Sequence, residues 1–349
     1  MAVSEFLVKG RALIGERLDE APVTISVRDG IIHRIEPISG SADMIPWICP
    51  AFFNAHTHLG DSIAMDVPAG GSLDELVRPP DGLKHRILRS STHEDLVRGI
   101  HLTLRTMSDS GTAGCADFRE GGISGVEAMR EAGHGLPVRT VIFGREGGET
   151  VAEGLGISSA RDVAEGLDAM IREARKQGRF VAFHAGERDD GDVDAALAYD
   201  PDLLVHCTHA SRMQLRMIAD LGIPVAVCPR ANWRFGVASS PDHPPVRTLL
   251  DLECPVILGT DNAMCVQPDM WRETHFLSTV YHISPRDALN AAILGSSLFT
   301  DSFFIEEGNR ANFLVIEPKG SNLILSRDMI GTLVHRAGPG NIVRKVINL

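Results

Sequence analysis

Long apolar runs are missing from this 349-residue chain: no stretch of about 18 apolar residues occurs, and the first twenty residues lack the apolar segment of a secretory leader. A cytoplasmic protein with no membrane partner is the expectation. Paired cysteines are missing too. Cys49, Cys115, Cys207, Cys228, Cys254 and Cys265 stand singly, with no C-x-x-C to suggest a metal knuckle or redox couple. They read as reduced, mostly buried small hydrophobes. Dense basic clusters are also absent, and 34 Lys+Arg against 46 Asp+Glu leave a formal charge of −12, which repels a nucleic-acid backbone. No internal repeat or low-complexity segment breaks the chain. What remains is an ordinary globular composition, 44% hydrophobic and 23% charged, long enough for one large domain plus a small one.

The central part alternates short apolar runs with amphipathic stretches, the pattern of βα units around a parallel sheet. Strands are predicted at Ile48–Asn54, Thr112–Phe118, Val138–Phe143, Phe180–His184, Leu203–Cys207, Val225–Cys228 and Val256–Gly259, with a weaker one near Val151–Ile157. Helices are predicted after Thr92 to about Ser108, after Ser159 to Gly178, and from Ser284-Pro285 to about Leu294, each behind a capping signal. Eight such strands suit a (β/α)8 TIM barrel over residues 48–310. The two ends read as all-β, with Phe6–Val8, Val23–Val27 and Ile31–Ile35 on one side and Asn312–Glu317 and Ile342–Ile347 on the other. Residues 1–47 and 311–349 are expected to form one small, β-sandwich-like composite domain. Asp29-Gly30 is its hairpin signal.

Four strand-like runs end in chemistry. His56 and His58 follow an apolar run at i and i+2, so both imidazoles project from one strand face, a natural start to a divalent-metal site. Phe180-Val-Ala-Phe-His184 is followed three residues later by Glu187, placed to act as an acid/base over the same site. Leu203-Leu-Val leads to His206, with His209 read as a rim or structural residue because i and i+3 point to opposite strand faces. Pro255-Val-Ile-Leu-Gly-Thr ends at Asp261. Taken singly, each has a bland account: a satisfied histidine, a surface glutamate, an aspartate capping the next segment. Their recurrence is what points to a site, since a barrel gathers strand ends on one rim.

The order HTH (His56–His58), FHAGE (His184–Glu187), VHCTH (from His206) and LGTDN (Asp261) resembles the amidohydrolase superfamily. More narrowly, it is similar to the cytosine, guanine and S-adenosylhomocysteine deaminase and chlorohydrolase branch. Ala226–Trp233 resembles that branch's CP-x-SN segment, and Glu306–Glu317 its G-x-x-ADLVV strand, so the resemblance spans nearly the whole chain. It implies that His56, His58, His184 and Asp261 bind one divalent ion, zinc first and iron second. It implies that Glu187 shuttles protons, that Asp261 also accepts one from the attacking water, and that His206 holds substrate or water. The reaction implied is hydrolytic deamination of a small aminated heterocycle such as a nucleobase, nucleoside or pterin.

Other readings use the same residues. A cyclic amide hydrolase or chlorohydrolase would keep the metal and change the bond, and a non-catalytic scaffold would keep only the barrel. The H-x-E and P-C-x-x-C pair of the other zinc deaminase architecture does not occur. None of the chain's five lysines falls in a predicted barrel strand, so no bridging lysine suggests a second metal. The branch's PH-x-P histidine is absent near Gly154, which weakens a carry-over of ribose recognition. Trp233 and Arg234 are candidates to stack on or clamp a flat substrate, with packing as the bland alternative. Arg145, Glu146 and Glu149 read as substrate contacts or, more simply, a solvated loop. Residues 61–86 are long enough for a lid or a structural crossover. A twofold homodimer is the default assembly.

Overall fold

The computed structural model describes residues 5–38, 45–67, 73–78, 81–162 and 166–348. Among the described residues, fifteen strands fall into two sheets. The first mixes both chain ends: β1 (Glu5–Ile14), β2 (Asp19–Arg28), β3 (Ile31–Pro37) and β4 (Trp47–Pro50) from the front. The second is built from β5 (Phe52–His58), β6 (Thr112–Arg119), β7 (Arg139–Gly144), β8 (Gly154–Ile157) and β9 (Phe180–Ala185). It continues through β10 (Leu203–His206), β11 (Val225–Val227), β12 (Val256–Leu258) and β13 (Asp261–Asn262). Then β14 (Phe313–Ile316) and β15 (Ile342–Val346) return to the first sheet, in the order β15-β14-β4-β1-β2-β3.

Alternation explains that six-stranded sheet. Val23, Ile25 and Val27 recur at every second position of β2 and bury one face with Val8, Ala12, Ile48 and Phe313. Asp29 and Gly30 both take positive φ, 49° and 80°, as the two-residue β2–β3 turn requires.

The nine-stranded sheet is parallel throughout, and its members are buried apart from the first residues of β7 and β9, as strands covered on both faces must be. It is curled. Its strands are neighbours in chain order from β5 to β12, and β13, two residues beyond β12, pairs with β5 through Asp261 opposite Thr57. Asn54 and Thr260 bind this seam twice, side chain to hydroxyl at 2.7 Å and backbone N–H to side chain at 3.0 Å. Gly259 permits the closeness, because a Cβ there would stand 2.6 Å from the Cβ of His56.

Helices cover the outside. The helix His93–Asp109 opens on a reciprocal capping box between Thr92 and Asp95, and Pro285–Phe299 opens behind Ser284 with proline in its first turn. Two expectations need correction. The run Ile48–Asn54 is not one strand: Ala51 separates β4, in the mixed sheet, from β5, which carries both histidines inside the parallel sheet. The helix ending near Gly178 starts at Leu167, not behind Ser159, whose hydroxyl donates to Asp192 at 2.6 Å; residues 163–165 lie outside the described residues. All six cysteines are free thiols, five of them buried. Among the described residues no helix is long and apolar enough to cross a membrane.

Candidate metal centre

The sequence-predicted ligands arrive on the carboxyl ends of β5, β9, β10 and the β12–β13 segment, all on one rim. His56 stands at their centre. Its ring centroid lies 5.0 Å from that of His58, 4.8 Å from His184 and 5.7 Å from His206. Asp261 Oδ1 is 3.3 Å from His56 Nε2 and 3.6 Å from His58 Nε2. Donor atoms of His56, His184 and His206 lie within 4.8 Å of one another, as do those of His56, His58 and Asp261, and those of Glu187, His206 and Asp261. The expected set therefore converges, and His206 stands as close to it as a ligand would.

The local backbone is shaped for this. His206 and Asp261 adopt φ of 74° and 63°, the left-handed region that non-glycine residues seldom enter, although histidine and aspartate enter it more readily than most. Such strain persists only where surrounding contacts over-determine it, and it concentrates at functional sites.

The electrostatics suit a cation. Burial pushes the His56 imidazole down to about 4 and that of His58 down to about 3, and it drives His184 well below its usual range. These rings are neutral at pH 7, the form a metal ligand needs. Burial alone would raise the Asp261 carboxyl, but His56, His206 and His58 outweigh it and hold the group below the ordinary carboxylate range. Both ring nitrogens of buried His56 and Nδ1 of buried His206 lack hydrogen-bond partners. Neutral imidazoles beside a carboxylate, with orphaned buried nitrogens, are a donor set for a divalent ion.

Their outward nitrogens are fixed by a second layer. His58 Nδ1 lies 3.0 Å from Glu120 Oε1, and His184 Nδ1 lies 3.0 Å from the carbonyl of Ile157. Donation from Nδ1 in each case turns Nε2 toward the centre. Glu120 is the hub of a buried charge network, taking Lys84 Nζ at 2.9 Å and Arg145 at 3.3 Å on Oε1, and Arg119 at 2.9 Å on Oε2. Lys84 also reaches Asp61 at 3.1 Å, and Arg119 reaches Asp117 at 3.3 Å. Against the effect of burial, Lys84, His58 and Arg119 hold the Glu120 carboxyl well below its usual range.

This layer was missed in the sequence. Its signal was present: β6 also ends in ionisable residues, Asp117, Arg119 and Glu120, on a fully buried strand. Lys84 gave none. It sits on the helix Leu83–Ser90, within the 61–86 segment read as a lid or crossover, and buries its ammonium beside His58, 3.5 Å from Nδ1. Residues 68–72 and 79–80 of that segment lie outside the described residues.

The other candidates divide between the site and its surroundings. Glu187 Oε1 faces His206 Nε2 at 3.6 Å, and burial raises its carboxyl pKa. Arg145 lines the cavity over the centre, whereas Glu146 and Glu149 accept backbone N–H groups of Gly121 and Gly147. Trp233 donates its indole N–H to Tyr281 at 2.8 Å, and neither it nor exposed Arg234 lines the cavity; Phe235 does. His209 stacks beside His243, with ring centroids 5.1 Å apart.

The family model described as Amidohydrolase family matches residues 47–348. A protein of Methanothermobacter thermautotrophicus, provisionally named an aminohydrolase, is 32% identical over 97% of this chain and 96% of its own. A 5-methylthioadenosine/S-adenosylhomocysteine deaminase of Pelotomaculum thermopropionicum is 25% identical over 86% of this chain and 78% of its own. Among solved structures, a zinc-complexed atrazine chlorohydrolase of Arthrobacter aurescens superposes with a TM-score of 0.75 at 16% identity, covering 97% of this chain and 94% of that one.

Proposed function

This chain belongs to the amidohydrolase family, and on that footing we propose that it is a metal-dependent deaminase that hydrolyses the exocyclic amine of a small heterocycle and releases ammonia. The observation that carries the reading is the convergence of His56, His58, His184 and Asp261 from separate strands, with Glu187 and His206 facing each other beside them. Those four side chains would hold the ion. A bound divalent ion lowers the pKa of water from 15.7 toward about 7, making a nucleophile available at neutral pH.

The remaining work belongs to the chain. Asp261, with its carboxyl held ionised, accepts the proton of the attacking water. Glu187, whose burial favours the protonated form, donates to the ring nitrogen, takes the proton of the hydroxyl that has added to the ring carbon and passes it to the departing amine, and is reset by the proton that Asp261 took from water. His206, 3.6 Å from Glu187, steadies the charge that develops between them. The name of the Pelotomaculum relative supports an aminated substrate.

To the same proposal belong zinc as the ion, supported by the nitrogen and oxygen donors, and a closed (β/α)8 barrel over residues 48–310 carrying a small domain from 1–47 and 311–349. So do a cytoplasmic setting, supported by six free thiols, and a twofold homodimer as the commonest soluble assembly.

The test is metal analysis of protein purified without chelator, joined to an ammonia-release screen over aminated purines, pyrimidines and pterins. Near-stoichiometric metal and ammonia from at least one compound are expected, and Glu187→Gln should keep the metal while slowing turnover by about 10²–10⁴. Release of chloride or opening of a cyclic amide without ammonia would replace the deaminase reading. Wild-type turnover by Glu187→Gln would remove Glu187 from its role.

A further inference from the structure

Four basic side chains, Arg78, Lys84, Arg145 and Arg188, line the cavity over the metal centre. They come from four segments: the residue after the helix Leu73–Val77, the helix Leu83–Ser90, and the loops after β7 and β9. Among the described residues the cavity lining adds three carboxylates, Asp162, Glu187 and Asp261. Behind the lining, Glu120 pairs with Lys84 and Arg145, and Asp61 pairs with Lys84, so with every group ionised the balance is 4 − 5 = −1, which a divalent ion brings to +1. This positive recess lies in a chain whose formal charge is −12. A cleft of one sign focuses the field and gathers ligands of the other.

The rest of the lining points the same way. Sites for uncharged heterocycles are mostly apolar and aromatic, with a few polar groups to fix orientation. Here the apolar lining residues are Leu73, Val77 and Phe235. Arg145, mostly buried, sets one terminal guanidinium nitrogen against Glu120 at 3.3 Å and the other against His184 Nδ1 at 3.1 Å, while its Nε has no hydrogen-bond partner. Arg78 and Arg188 are exposed at the mouth. The recess holds about 60 Å³, well under the roughly 300–1,000 Å³ of sites for drug-sized ligands, which favours a compact substrate.

We propose that the substrate is a compact aminated ring bearing an anionic substituent, a carboxylate or a phosphate, whose oxygens are met by Arg145 inside the cavity and by Arg78 and Arg188 at its mouth. The inference rests on the deaminase reading for the amine and on the basic lining for the anion. Guanidinium groups suit both anions, because their planar fork matches carboxylate and phosphate oxygens.

The test uses the metal-replete protein and two unreactive probes of equal shape, a pyrimidine carboxylate and the corresponding carboxamide, titrated by calorimetry. The carboxylate should bind about ten- to a hundredfold more tightly, the worth of one or two charge-assisted hydrogen bonds. In Arg188→Gln or Arg78→Gln that ratio should fall by about tenfold. Both residues are exposed, so the fold should tolerate the changes. Equal binding of the two probes overturns the inference. So does a preference unchanged in both variants, which would assign it to the metal ion alone.

A turnover arm separates this from the function on which it rests. Aminopyrimidine, its carboxylate and its phosphate ester are assayed for ammonia, and the faster of the two anions identifies the substituent. Equal kcat/KM for the neutral and anionic compounds overturns the inference and leaves the deaminase standing. Ammonia from none of them counts against the deaminase, and the binding ratio then decides the anion site by itself.

Discussion

Glu120→Gln keeps the volume of a buried side chain and removes its charge. Three cationic groups close on that carboxylate, Lys84 at 2.9 Å, Arg119 at 2.9 Å and Arg145 at 3.3 Å, and His58 Nδ1 lies 3.0 Å away. A neutral amide offers one acceptor where the carboxylate offers two, and its NH2 group must face a cation. Two losses follow. The first is stability, about 3–5 kcal/mol, the usual consequence of removing one partner from a buried ion network. The second is metal affinity, about 10–100-fold or roughly 1.4–2.8 kcal/mol, because the group that orients His58 is weakened. Urea unfolding reads the first, and competition against a chelator of known affinity reads the second. Arg119→Met is the control, since Arg119 bonds Asp117 and Glu120 and, among the described residues, no histidine nitrogen. It should lose stability with metal affinity changed by less than about threefold. If Glu120→Gln also binds metal within about threefold of the parent protein, Glu120 does not orient His58 and the argument from this second layer fails.

Three further outcomes can be checked. Protons should compete poorly for the metal, because His56 titrates only near 4 and His58 near 3: their lowered values mean fewer protons bound in the folded protein at any pH between there and 6.5. Chelator competition from pH 7 down to about 5 should therefore give a nearly constant dissociation constant, whereas a steady rise beginning at about 6.5 would contradict the burial argument. Gly259→Ala should reduce both stability, by about 1–3 kcal/mol, and metal content, since its methyl would press on His56 at 2.6 Å; urea midpoints and metal analysis together would show it. His184→Ala should abolish metal retention along with turnover, and a fully metallated His184→Ala protein would remove that residue from the ligand set.

Much of this was legible in the sequence for a simple reason. Parallel strands buried on both faces must be continuous apolar runs, so a ligand at the end of such a run stands out, and His56, His58, His184, His206 and Asp261 were visible that way. What failed was whatever depends on placement in three dimensions. The run from Ile48 to Asn54 is apolar throughout, and nothing in hydrophobicity marks Ala51 as the point where the chain leaves one sheet for another. Ser159 looked like a helix cap because serine suits caps, but its hydroxyl serves Asp192 across the loop. Lys84 is a charged residue on a short helix, and only tertiary packing drives its ammonium inward toward Asp61 and Glu120. Trp233 suggested a stacking platform, but its partner Tyr281 is 48 positions away in sequence.

The seam between β5 and β13 has a consequence for how the protein is made. Asn54 and Thr260 are 206 positions apart, and the proposed ligands flank them on either side of that join. A nascent chain displays His56 and His58 long before the ribosome has produced Asp261, so the full grip on a cation arises only after most of the polypeptide has emerged and this non-local pairing has formed. Fragments ending before the seam would lack the aspartate altogether.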